Sequence, residues 1–371
     1  MKNIKHFTIK TFFYGITILS ITLNCYAQTI STIFGEVEEN NHLTLELLNH
    51  KSLQRLKHID QSGPLIYFSD KYPAFSRYEH SLGVYALLKR YNFSTAEQIA
   101  GLMHDTSHTA FSHLADYILQ HKSKHTESYQ DDIHDWFLTQ MGVKDILSHH
   151  HLSLLDISPK NPSYTGLEQP FPDMNADRIE YNLHTALVFK DLTHKEIEEI
   201  LAAMKYNFKK WYFVDTKQAI KFAKLSTHYT KNFWGNANNA ALYAVSGALI
   251  KYAIQKNILQ LNDLHFGIDL DIIKKLKDSH DQVIQQLLTI VSNIEEYYQV
   301  VDKQVCDVHI SIKMRGIDPL VLQGDTLQRL SSISYDFKKN LQQTAQYANK
   351  GISLKFIGID NHEIMPILKN L

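Results

Sequence analysis

Thiols are nearly absent from this chain: its 371 residues include only Cys25 and Cys306. Two cysteines exclude a disulfide-rich scaffold and any zinc site built from thiolates. Proline is scarce as well, and half of the eight prolines (Pro159, Pro162, Pro170 and Pro172) fall in one stretch, which marks a long loop there. Neither sign of charge is in surplus, with 38 Lys plus Arg against 39 Asp plus Glu. No overall field therefore draws in nucleic acid or an anionic membrane. Several common catalytic signatures are missing too: H-E-x-x-H, G-x-x-x-x-G-K-[ST], G-x-S-x-G and G-x-G-x-x-G. Against these absences, 44% of the chain is hydrophobic, enough to bury a substantial core rather than leave a disordered polymer. Histidine is plentiful, with 21 in the chain, so where the histidines cluster becomes the main question.

The first residues read as a processing signal. Lys2, Lys5 and Lys10 lead into an apolar run from Phe12 to Leu23, and Cys25-Tyr26-Ala27 follows. A basic start, a short apolar stretch and small residues at the −3 and −1 positions of a cut after Ala27 describe a secretory signal peptide over 1–27. The run is too short for a membrane span, which takes about 20 apolar residues. Export to the periplasm or the medium follows, with no membrane attachment after cleavage. Cys306 would then be the only thiol, so no internal disulfide is expected.

Beyond this segment the periodicity is helical. Helices are expected over His42 to Leu56, Ser81 to Tyr91, Thr95 to Met103, Asp177 to Phe189, Lys195 to Tyr206, Thr216 to Tyr229, Asn239 to Gln255 and Asp281 to Tyr298. Near the end the period changes. Val308, Ile310, Ile312 and Met314 alternate with Asp307, His309, Ser311 and Lys313, the pattern of a half-buried strand. A helix over about 334–348 and a strand over Ile352 to Ile357 complete that end. The expectation is a mainly α protein: a helical body over 28–302 with its core at 45–190, and a small α+β appendage over 303–371.

One constellation of histidines and carboxylates stands out. Arg77-Tyr78-Glu79-His80 is followed by His104-Asp105, then His108, His113, Asp116 and His125, and later Asp177-Arg178. Where no thiol is available, neutral imidazoles and carboxylates hold Mn, Fe, Ni, Zn or Mg. His80, His104, Asp105 and Asp177 can supply two nitrogens and two or more oxygens to one divalent ion. Such a set leaves positions open for water and substrate. An unbroken helix from His104 would carry His113 about 180° around the axis. Thr106, Ser107, Thr109 and Ser112 are poor helix formers, so a break there is expected, letting His113 fold back. Other groups read as ordinary: His149 to His151 as a solvated run, His134-Asp135 as an isolated doublet, and Trp211, Tyr212 and Phe213 as core.

A family resemblance becomes specific at this point. Leu53 to Leu56, Phe75 to Val84, Gln98 to Asp105 and Phe111-Ser112-His113 closely resemble the HD-domain metal-dependent phosphohydrolases. Within them the nearest branch is the deoxynucleoside triphosphate triphosphohydrolases, including the mammalian SAM-and-HD-domain enzyme. Lys313-Met314-Arg315-Gly316-Ile317-Asp318-Pro319 is similar to a late segment of bacterial members. The resemblance implies an HD-domain helical bundle in which His80, His104, Asp105 and Asp177 bind one divalent metal. It also implies catalytic roles for Arg77 on substrate phosphate and for His108, His113, Asp116 and His125 in the pocket, with His113 as proton donor. Arg178 and Tyr181 would contact substrate. Departures are visible: Thr126 stands between His125 and Glu127, and Thr185 replaces the Asp with which that branch reads the sugar. Of the six arginines few remain to clamp a triphosphate, and Lys221, Lys224 and Lys231 are offered instead. The implied function is an exported hydrolase of a small phosphorylated substrate, nucleotide-like, with no nucleic acid partner and self-association left open. The alternative is a catalytically silent nucleotide-binding or scaffold protein on a retained fold.

Overall fold

The computed structural model describes residues 27–72, 74–119 and 129–369. The expected signal segment, apart from Ala27, and His125 lie outside these residues. The chain opens on an antiparallel hairpin of β1 (Gln28–Thr32) and β2 (Gly35–Glu39). Periodicity gave no sign of it, because on β1 only Ile30 is buried. The helix expected over 42–56 is broken into His42–Leu48, Lys51–Gln54 and a 3-10 turn at Arg55–His58. His50 causes the break: its ring accepts from Ser52 N–H, so the chain restarts a helix instead of continuing one.

Two helices position the histidine constellation. Arg77–Arg90 begins four residues before the expected Ser81, because Ser76 and Glu79 form a capping box that satisfies otherwise orphaned N–H groups. Thr95–Met103 follows after a short turn and starts on the Ser94 cap. A short connection makes them antiparallel neighbours, so the start of the first lies beside the end of the second. Arg77 and His80 thus meet His104. The pair also divides the apolar interior. Leu82, Tyr85, Ile99, Leu102 and Met103 face one buried cluster with Leu47, Leu53 and Phe137. Val84, Leu87, Leu88 and Ala100 face another with Ile179, Leu183 and much of the later chain.

The helix expected over 195–206 ends at Ala203 and turns into β3 (Met204–Asn207) and β4 (Lys210–Phe213). Phe208 and Lys209 both take positive φ at the bend, the backbone of a tight hairpin turn. The helices Thr216–Tyr229, Ala237–Gln255 and Gln282–Ser292 match their expected positions closely. The last of these stops short of Tyr298, where β5 (Tyr298–Val300) begins. The strand expected over 308–314 is only β6 (Val308–Ile310). Beyond it come β7 (Leu320–Gln323), β8 (Thr326–Arg329), the helix Tyr335–Lys350 and β9 (Ile352–Phe356).

The body is mainly α, as expected, but strands are not confined to the carboxy-terminal end. Among the described residues nine strands form three sheets: β1-β2, β3-β4-β7-β8 and β5-β9-β6. In the second, β4 and β7 run parallel, with Tyr212 opposite Leu320 and Phe213 opposite Val321. Trp211 and Phe213 are buried in the core. Ile310, Ile317, Val321 and Phe337 join the same apolar cluster as the central helices. Among the described residues, no helix is long and apolar enough to cross a membrane.

Candidate metal centre

The ligand candidates come from three helix ends. His80 lies one turn into Arg77–Arg90, His104 caps Thr95–Met103, and Asp177 sits in the first turn of Ala176–Val188, whose Asn175 cap accepts from Arg178 N–H. Ligating atoms of His80, His104 and Asp177 all lie within 4.8 Å of one another. His80 Nε2 is 3.0 Å and His104 Nε2 3.7 Å from Asp177 Oδ1. Both nitrogens are buried, and among the described residues neither has a hydrogen-bond partner.

Their opposite ring nitrogens are tied down. His80 Nδ1 bonds Glu180 Oε2, and His104 Nδ1 donates to Gly101 O at 2.7 Å. Each ring is thereby held through Nδ1, which leaves Nε2 as the nitrogen that would meet a cation in the shared space, as the hydrogen-bond partners of metal-bound imidazoles arrange. Two imidazole nitrogens and a carboxylate suit Mn, Fe, Ni, Zn or Mg, so these residues fit one divalent ion.

Asp105 stands beside this trio. Its Oδ1 lies 3.4 Å from His104 Nε2 and 3.3 Å from His108 Nε2, and its Oδ2 is 3.7 Å from His80 Nε2. Oδ2 also pairs with Arg77 NH1 at 2.5 Å. Burial works to raise the Asp105 carboxyl, but Arg77, His104 and His108 hold it well below the usual carboxylate range. Burial likewise opposes Asp177, which His104 and His80 hold far down. For His80, burial disfavours the charged ring, yet Glu180, Asp177 and Asp105 outweigh it and push its pKa up to about 10. So much negative charge around two imidazoles is what a cation would neutralise.

The expected break after His104 is present, and it returns His113 to the site. Residues 104–113 form turns before the short helix Leu114–Ile118, and the His108 and His113 rings meet edge to face at 4.9 Å. Phe111 and Ser112 both take positive φ, a costly backbone for residues with side chains. Hydrogen bonds hold it: Phe111 N–H donates to the buried Asp269 at 2.7 Å, and Ser112 Oγ receives Arg77 Nε at 2.7 Å while donating to Asp60 O. Arg55 supports the same loop from below, donating to His108 O and Gly267 O, each at 2.9 Å. Among the described residues Arg77 keeps one buried nitrogen, NH2, without a partner.

His113 Nδ1 is 3.3 Å from Asp116 Oδ2, and Tyr129 N–H donates to Asp116 Oδ1 at 2.8 Å. Burial outweighs Asp116 and holds the His113 pKa below its ordinary value. Burial, then Arg77, takes His108 down to about 3. His125 lies outside the described residues.

Of the expected substrate residues, Tyr181 lies one turn after Asp177 on the same helix, with its ring edge to face against Trp234 at 5.3 Å. Arg178 is otherwise engaged. Its NH1 donates to Asp173 O at 2.7 Å and Gln169 O at 2.9 Å, stitching the proline-rich loop to the helix. Lys221 pairs with Glu196 at 2.7 Å, so it is no free cation. His134 bonds Met103 O through Nε2. On the surface His150 meets Glu46 at 3.1 Å, with His42 beside them, so the 149–151 run has a carboxylate partner from another helix.

Sequence reasoning missed Glu180 and His184. Glu180 is fully buried and joins His80 to His184, whose Nδ1 lies 2.7 Å from Glu180 Oε1. His184 stacks on Phe75 at 3.9 Å. A signal existed: Glu180 follows Asp177 by three positions and precedes His184 by four, so all three share a helix face.

Known proteins agree with this geometry. Residues 77–169 match the HD domain family model. The Bacillus subtilis protein YdhJ is 30% identical over 315 residues, 84% of this chain and 94% of that protein. A metal-dependent phosphohydrolase of Cordyceps militaris is 27% identical over 63% of this chain and 70% of its own length. A deoxynucleoside triphosphate triphosphohydrolase of Danio rerio is 30% identical over 33% of this chain and 22% of its own. A crystal structure of a phosphohydrolase from Bacteroides thetaiotaomicron superposes with a TM-score of 0.67 at 15% identity, over 90% of this chain and all of that one. With its paired helices, its His104-Asp105 doublet and a relative matched over nearly its whole length, the chain belongs to the HD-domain superfamily of metal-dependent phosphohydrolases.

Proposed function

We propose that the protein is an exported hydrolase that cleaves a phosphoester of a nucleotide-like substrate with one divalent ion held by His80, His104 and Asp177, and Asp105 alongside. The observation that carries this reading is the pair of buried, unpartnered Nε2 atoms converging on Asp177. A divalent cation in that place supplies Lewis acidity, polarising a phosphoryl oxygen and making water a competent nucleophile near neutral pH.

The chain's own groups do the rest. Arg77 spends NH1 on Asp105 and Nε on Ser112, which fixes its plane and leaves NH2 to receive a phosphoryl oxygen. A guanidinium locked in this way stabilises charge that develops during displacement at no reorganisation cost. His113 is the proton donor to the leaving oxygen, oriented by Asp116. Burial keeps it neutral in the free protein, and an arriving phosphate anion raises its pKa again. Tyr181 and Trp234 offer an aromatic wall one turn from Asp177, which suits a sugar or base. Export rests on the basic and apolar amino-terminal segment.

The test is a panel of nucleotides and generic phosphodiesters with Mn, Mg, Ni, Fe or Zn, run beside the double variant His104→Ala with Asp105→Ala. Turnover in the wild type that disappears in the variant is expected. Equal turnover in both, or none with any metal, retires the hydrolase.

A further inference from the structure

A second group of ligand-type side chains lies at the surface, in a part of the chain to which the proposed reaction gives no task. His42 and Glu46 stand four residues apart on the helix His42–Leu48, so their side chains share a face. His150 caps a different helix, Val143–His149. The apolar sides of both helices enter one interior: Leu43, Leu47, Val143 and Leu147 are buried in the same cluster. The backbone is held at each ligand. Asn41 caps the first helix, its side chain accepting from Thr44 N–H at 3.0 Å. At the end of the second, His151 N–H donates to Ser148 O at 3.1 Å and Leu152 N–H to Leu147 O at 2.9 Å. With His151 at a φ of 58°, these bonds form a Schellman closure, which fixes where His150 stands.

Ligating atoms of His42, Glu46 and His150 all lie within 4.8 Å of one another. His150 Nε2 is 3.1 Å from Glu46 Oε2, and the His42 and His150 rings lie 5.5 Å apart at 35°. Ligands about 2.0–2.1 Å from a tetrahedral zinc ion are about 3.3–3.4 Å from each other, so the spacing of Glu46 and His150 already suits a shared ion. A surface ion pair between carboxylate and imidazole accounts for that one contact. It does not account for a third ligand atom in the same space. Two imidazoles with one carboxylate form the donor set of open zinc sites, in which water takes the fourth position. Magnesium and calcium prefer oxygen ligands and compete poorly for such a set.

We propose that His42, Glu46 and His150 bind a zinc ion that clasps the two helices together, separately from the buried centre. The clasp joins Glu46 to a residue 104 positions later in the chain. An ion held there only in the folded state raises the thermal midpoint. To test this, tag-free protein is titrated with zinc against a competing chelator, with magnesium in excess, and the bound equivalents are counted. His42→Ala, Glu46→Gln and His150→Ala should each bind one equivalent fewer than the wild type. His149→Ala, beside the trio but outside it, should keep that equivalent. The double variant His104→Ala with Asp105→Ala should keep it too. In that background zinc should raise the thermal midpoint, and adding His42→Ala should abolish the rise.

Equal zinc counts in the wild type and His42→Ala, or the same loss in His149→Ala, overturn the site. Zinc that binds without raising the midpoint overturns the clasp. His42 and Glu46 are exposed and His150 is partly so, so their variants keep the folded core. Should the double variant fail to fold, the counts in the wild type and the single variants still decide. None of these readouts involves turnover, so the zinc clasp and the hydrolase reading stand or fall separately.

Discussion

At the scale of single residues, the centre is surrounded by buried carboxylates that differ in what holds them. Glu180 takes charge-assisted contacts from two histidines, which hold its pKa down although burial opposes this. Among the described residues Asp60 has no such cation in contact, and only the more distant Arg77 charge works to lower it. It is buried, its Oδ1 accepts only Ser62 N–H at 2.7 Å, and Asp269 repels it. Burial first, with Asp269 adding, raises its pKa from 3.8 to about 7. A carboxyl whose folded pKa lies above its unfolded value binds its proton more tightly in the native state. Stability is therefore lost as pH rises from about 4 toward 7 and levels off above that. Asp60→Asn keeps an acceptor for Ser62 and removes the titration. Its thermal midpoint should fall less steeply than the wild type's between pH 4 and 7. Parallel profiles in differential scanning calorimetry would show that Asp60 carries no such linkage.

At the scale of elements, the crossing of two helices is what aims His80. Gly83, one turn after His80 on Arg77–Arg90, faces Glu180 of the Ala176–Val188 helix: a Cβ there would lie 2.3 Å from Glu180 Oε1. In an open helix, Gly to Ala is favourable by about 1 kcal/mol. Here the clash outweighs it, because Glu180 is fully buried and cannot move without releasing His80 Nδ1. Gly83→Ala should weaken metal affinity about 10-fold or more, the scale of losing the carboxylate that holds a ligating imidazole, as read by titration with a chelator-buffered metal. Unchanged affinity would mean that Glu180 does not orient His80. None of this crossing was visible in the sequence, although its parts were. The His104-Asp105 doublet, Arg77 with His80, and Asp177 were legible because ligand chemistry restricts residue type and because helices keep a fixed period. Glu180 read as one more polar residue, since its role depends on a glycine almost a hundred positions earlier. The hairpins were missed for a related reason: β1 buries one residue and β3 continues a helical pattern, so neither shows a clean alternation of its own.

At the scale of the whole molecule, the carboxy-terminal segment is built into the body. β7 extends the β3-β4 hairpin, and Arg315 lies over Tyr181. Ile310, Ile317, Val321, Leu330, Phe337, Ile352, Leu354, Phe356, Ile364 and Leu368 are buried in the same cluster as the central helices. Deleting ten such side chains forfeits about 1.5–3 kcal/mol each, which exceeds the 5–15 kcal/mol or so by which domains are stable. The cut would also strip the covering from Phe213 and leave the parallel edge of β4 unpaired, an invitation to association. A chain ending at residue 302 should therefore fail to unfold cooperatively in a thermal melt followed by circular dichroism, and should elute as aggregate in gel filtration. Sharp unfolding by a monomeric truncated chain would show that the body holds its core alone, and that the segment bearing Lys313 and Arg315 is an addition to a self-sufficient metal site.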